Sequence, residues 1–159
     1  INISFLGEKG EVILGKYAGQ ITAFDASESE VEENPMTFLS ATAQEVVKES
    51  NTKQLKVLLK NETDSLQLFF NVANSVSNSI PVGTYTVSST NNEFSLLKGD
   101  FSEGTYNGCW LLGIENFSIT SGDIEVTKDN STYNLTYNLR YENTRIIGNY
   151  SGIIYFASK

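Results

Sequence analysis

The chain contains no histidine. That removes the commonest general base and the commonest transition-metal ligand. Ser-His-Asp, Cys-His and His-zinc sites are therefore excluded within it. Cys109 is the single cysteine, so no internal disulfide forms. Its neighbours Trp110, Leu111 and Leu112 mark it as a buried, inert thiol rather than a nucleophile. Basic residues are scarce: 11 Lys and Arg stand against 19 Asp and Glu, a formal charge of −8 with no basic cluster. Such a surface disfavours a nucleic-acid backbone and an anionic lipid surface alike. No apolar run approaches the roughly 18 residues that a spanning helix requires. No signal peptide is visible. The chain opens on Ile1 in an alternating pattern, which suggests a processed amino terminus.

What is present is alternation. Across residues 122–156, Tyr133, Leu135, Tyr137, Leu139 and Tyr141 interleave with Asn134, Thr136, Asn138 and Arg140. A period of two is the pattern of a strand with one buried and one wet face. Polar turns at 129–131 and 142–144 make this a meander of three or four antiparallel strands. Tyr133, Tyr137 and Tyr141 form its inner face, with their hydroxyls reaching the rim.

Further strands are expected around 3–5, 12–14, 17–24, 36–47, 55–59, 66–70, 84–87, 94–97 and 105–112. Residues 41–48 also tolerate a helix. Residues 25–35 carry five acids and end on Pro35, and read as a surface loop. A chain of 159 residues is one domain. The expected fold is all-β, an antiparallel sandwich or flattened barrel of about ten strands with little or no helix. Adjacent apolar pairs (69–70, 146–147, 153–154) favour a filled two-layer form over an open cup. A faint repeat relates 47–55 to 126–135, and GKYAGQI at 15–21 to GNYSGII at 148–154. An internal duplication of meanders around 36–88 and 116–156 and a chance likeness between hairpins both account for it. Gly15 and Gly148 are expected at bends.

Ala41-Thr42-Ala43, a leucine-rich hairpin, Ile80-Pro81-Val82-Gly83-Thr84-Tyr85, Ser121-Gly122 and Gly148-Asn149-Tyr150-Ser151-Gly152-Ile153 together resemble the all-β domains of secreted lipoproteins from Bacteroidetes bacteria. The likeness runs from about residue 36 onward. It implies export to the cell envelope or surface, with a lipid anchor upstream of residue 1. Asp64-Ser65-Leu66 is similar to the O-glycosylation acceptor pattern of that group, which makes Ser65 a candidate modification site.

Trp110 with Tyr106 is the leading ligand-binding pair, because aromatic faces stack on sugar rings. The competing reading of a lone Trp is core. Asp123 and Glu125 are the nearest approach to an acid pair, and no catalytic residue is assigned. The acidic residues Asp25, Glu28, Glu30, Glu32 and Glu33 lack the order of a calcium loop, so no metal or cofactor is expected. Asn-x-Ser/Thr strings at 61, 116, 130, 134 and 149 mark a polar β surface. The functional expectation is a non-catalytic envelope or secreted domain binding or presenting a glycan or an envelope protein. The alternatives are a structural or adhesive subunit and a lipocalin-like carrier of an apolar ligand.

Overall fold

A computed structural model describes residues 2–6, 12–16, 31–48 and 52–157, with 2–6, 12–16 and 47–48 described by backbone alone. Among the described residues there are sixteen strands and no helix. The expected strand at 17–24, the turn at 7–10 and most of the acidic stretch lie outside the described residues. β1 (Asn2–Leu6) and β2 (Val12–Lys16) form an antiparallel pair of their own.

The main sheet runs through ten strands. One end of the path is β16 (Ile154–Phe156), followed by β4 (Ser40–Lys48), β5 (Thr52–Lys60) and β6 (Ser65–Ala73). Next come β8 (Ser95–Leu97), β7 (Gly83–Ser88), β13 (Ser121–Asp129), β14 (Thr132–Tyr141), β15 (Thr144–Gly152) and β3 (Glu32–Thr37). The two ends of that path meet. β3 lies parallel to β15, with Thr144 opposite Glu32. β4 lies parallel to β16, with Ile154 opposite Ala41. Since β3 leads into β4, and β15 into β16, these are two halves of one seam. The ten strands are thus eight staves of a curled sheet whose two ends, β16 and β3, come together along this seam.

Tyrosine holds the seam. Tyr137 lies opposite Gly148 on β15 and donates its hydroxyl to the Met36 carbonyl of β3 at 2.6 Å. Gly148 has a positive φ of 156°, and a Cβ there would lie 2.1 Å from that carbonyl oxygen. A side chain at 148 would force the seam apart. Where the seam strands break, Tyr150 donates to the Ile153 carbonyl at 2.7 Å.

Alternate residues fill the bore. Leu55, Val57 and Leu59 on β5, Leu66, Leu68 and Phe70 on β6, and Leu135, Tyr137 and Leu139 on β14 are all buried. Residues 74–82 cross one end. Ile80 enters the core there, its N–H donating to the Tyr133 hydroxyl at 3.2 Å, while Tyr85 donates to the Pro81 carbonyl at 3.0 Å. Residues 98–120 cover the other end, where Leu111 and Ile119 join the core and Phe117 stacks on Tyr141 at 4.5 Å.

Three expectations change, and one is settled between its alternatives. The sheet is mixed, because the seam pairs and β7–β8 are parallel. The end of the acidic stretch is strand β3 rather than loop. It pairs along one side only, so Pro35 costs no ladder bond there, and Glu33 forms an ion pair with Arg145 of β15. Residues 41–48 are the expected strand rather than the alternative helix, with a bulge between Glu45 and Val47. The strand expected over 105–112 is two, β10 (Thr105–Asn107) and β11 (Trp110–Leu112), broken at Gly108.

Candidate functional site

The segment that covers the second end of the barrel also carries two exposed aromatics, Phe101 and Tyr106; the others, Phe94 and Tyr155, lie outside it. Its anchor is β6, whose two faces are both buried. The inward row enters the bore. The outward residues Gln67 and Phe69 lie under the covering segment. β11 pairs with the first residues of β6, Trp110 opposite Gln67, and β12 (Asn116–Ser118) pairs with β11. Gln67, which is buried, donates its amide to the carbonyls of Tyr106 and Gly108, each at 3.0 Å.

Cys109 fills the break in the ladder between Trp110 and β8. Its Sγ accepts the Phe69 N–H at 3.3 Å, and full burial pushes its thiol up to about 12. At that value it is neither thiolate nor nucleophile at neutral pH. The inert reading of the sequence therefore agrees with its surroundings. Gly108, at φ 74°, lets the chain pass the Lys98 carbonyl. A Cβ would lie 2.2 Å from that oxygen.

β9 (Asp100–Ser102) and β10 form a short hairpin laid against this base. Phe101 and Tyr106 sit opposite each other across it, with ring centroids 4.8 Å apart. Tyr106 meets Trp110 edge-on at 4.8 Å. Trp110 is 7 % exposed, and its indole N–H donates to the Asn107 carbonyl at 2.7 Å. It is therefore the base of the row rather than its face. Phe101 at 54 % and Tyr106 at 37 % exposure are the face. The Asn116 amide donates to the Tyr106 hydroxyl at 2.9 Å, fixing the ring from its polar end. Ser102 and Asn107, joined by a hydrogen bond of 3.3 Å, border the hairpin.

The structure thus brings Tyr106 and Trp110 together, but across two strands rather than along one. Sequence reasoning missed Phe101, Gln67 and Asn116. The signal for Phe101 was its isolation: an aromatic between Asp100 and Ser102, five residues before another aromatic across Glu103-Gly104.

The other candidates lie apart from this face. Ser65 is the first residue of β6, half-buried and paired on both sides, to Lys60 and to Leu112. The turn before it is held by Asn61, whose Oδ1 accepts the N–H groups of Thr63 and Asp64. Asp123 and Glu125 are exposed on β13, opposite Asn138 and Thr136. Glu32 and Glu33 are on β3, while Asp25, Glu28 and Glu30 are outside the described residues. No group of three metal-type side chains gathers among the described residues. Among them, too, no helix is long and apolar enough to cross a membrane.

Tyr133, Tyr137 and Tyr141 share the inner face as expected, but their hydroxyls are engaged. Tyr133 accepts from Ile80 and from Lys128, Tyr137 donates to Met36, and Tyr141 accepts from Asn34. Burial raises the Tyr137 phenol to about 12 and raises those of Tyr85 and Tyr150 as well. Compared with family models, curated proteins and solved structures, the chain matches none.

Proposed function

We propose that this chain is a non-catalytic binding module of the cell envelope or secreted space that takes a glycan on the Phe101–Tyr106 face. The observation that carries the reading is the contrast in aromatic exposure. The barrel buries Phe70, Tyr85 and Tyr137 and exposes Tyr155 singly, while Phe101 and the partly exposed Tyr106 stand side by side on a braced hairpin. Exposing two apolar rings forgoes burial free energy. Their spacing offers a strip wide enough for a sugar ring, and Asn116 and Ser102 border it with polar groups. Stacking on an aromatic face combined with polar edges is how such rings meet saccharides. The envelope location rests on the resemblance of the sequence, from about residue 36 onward, to lipoprotein domains, which also implies an anchor upstream.

Affinity electrophoresis through gels cast with soluble polysaccharides tests the reading. The native chain should be retarded by at least one polysaccharide, and Phe101→Ala with Tyr106→Ala should restore free migration. Equal migration of native and double variant in every gel would remove this function.

A structural or adhesive role is the second reading. Leu39, Ile153 and Tyr155 support it, being apolar and exposed along the seam strands. The apolar carrier has the weakest support, because side chains fill the bore.

A further inference from the structure

The end of the barrel opposite the Phe101–Tyr106 face holds an open cleft of about 740 Å³. It lies between the end of β4, the start of β5 and residues 74–78. Its floor is apolar: Ala43, Leu55 and Phe156. Ala43 and Leu55 belong to the inward rows of their strands, and Phe156 lies opposite Ala43 across the seam. The far side is the serine- and asparagine-bearing segment 74–78.

Within this lining stands an ion pair. Lys53, 6 % exposed, donates from Nζ to Glu45 Oε2 at 3.0 Å. Glu45 sits at the β4 bulge, which turns the strand at the cleft's edge. A buried ion pair contributes little to stability, and apolar side chains would close the bore as well or better. An ammonium has three protons to give. Glu45 takes one at 3.0 Å, and Lys53 is itself among the residues that line the cleft.

The chemistry of that occupant follows from the lining. The pair is neutral as a whole, so a charged ligand would bring an uncompensated charge into a partly desolvated site. A floor with an aromatic ring fits the apolar face of a ring compound. A strong donor beside it and hydroxyl and amide groups above fit oxygens around that ring. The volume falls in the range of small-molecule sites, and barrel mouths are a common place for them. We propose that this cleft is a second binding site, taking a single neutral sugar ring. It is independent of the Phe101–Tyr106 face and lies at the other end of the barrel.

Titration of the isotopically labelled chain, followed by amide chemical shifts, tests it. The probes are glucose, galactose, mannose and N-acetylglucosamine, with glucuronate and glucose 6-phosphate as charged counterparts. At least one neutral sugar should shift the amides of 43–45, 53–55 and 74–78 saturably, with the charged probes weaker by about tenfold or more. Lys53→Met should weaken binding by about tenfold or more, and Phe156→Ala should weaken it independently of that ion pair. The spectra of both variants report whether they fold. Tyr106→Ala should leave these shifts unchanged, which separates this site from the other face. No saturable shift at these amides with any neutral probe would overturn the proposal. So would tighter binding of a charged probe, or unaltered binding in a folded Lys53→Met or Phe156→Ala variant.

Discussion

Tyr137 and Tyr106 are the same side chain in two regions, put to opposite uses. In the bore, the Tyr137 ring is buried and its hydroxyl fastens β14 to Met36 across the seam. On the covering segment, the hydroxyl of Tyr106 is held by Asn116 and the ring is left partly in solvent. The first arrangement closes a barrel; the second presents a surface. An amphipathic aromatic does either, and what decides is which end of it the neighbours hold.

Substitution at these two tyrosines separates the regions most sharply. Tyr137→Ala should cost about 3–5 kcal/mol, the usual range for emptying a buried aromatic site. Tyr137→Phe should cost about 1–3 kcal/mol, because the ring stays while the Met36 carbonyl loses its partner. Tyr106→Ala should stay near 1 kcal/mol, as ordinary surface changes do. Urea unfolding of the three variants checks the order. A Tyr106→Ala cost equal to that of Tyr137→Ala would make Tyr106 core and end the contrast.

Next in size is Gly108→Ala. A left-handed backbone and a Cβ placed against the Lys98 carbonyl should cost about 1–3 kcal/mol. The effect should be local. Hydrogen exchange should quicken across 98–120 while the amides of β5 and β14 keep their protection. Uniform loss of protection would mean that the covering segment and the barrel form one unit.

The smallest expected effect is alkaline. The Tyr137 phenol rises to about 12 in the folded chain, with Tyr85 and Tyr150 raised too, all through burial. In the unfolded chain they ionise near pH 10. Above that pH the unfolded state sheds protons that the folded state keeps. The stability from these groups is therefore complete below about pH 10 and is lost as pH climbs through about 12. Thermal midpoints should fall across that window, and Tyr137→Phe should make the fall shallower. A flat profile would contradict the burial of these hydroxyls.

The meander was legible because strict alternation over β14 leaves one register for its neighbours. The closure was not. It depends on Tyr137 reaching Met36, 101 residues away in the chain, and on an acidic stretch without alternation that pairs in parallel through Glu33 and Arg145. Pro35 argued against a strand, and a one-sided pairing satisfies it. The covering segment was harder still, since strands of three residues carry no period. Tyr106 and Trp110 were legible as an aromatic pair, but their roles were not: buried Trp110 is the support and unremarked Phe101 the face. Lys53 gave no sign of its inward position, because a lysine beside a turn reads as solvated.

Trp110 offers the most direct test of the central claim, that the barrel is a scaffold and the Phe101–Tyr106 face the part that binds. Its indole is the single one in the chain and touches Tyr106 without facing solvent. Its emission should be blue-shifted and poorly quenched by acrylamide. One soluble polysaccharide should change that emission saturably, and Tyr106→Ala should abolish the change. A saturable response that persists in folded Tyr106→Ala, or no response to any polysaccharide that retards the native chain, would contradict the account.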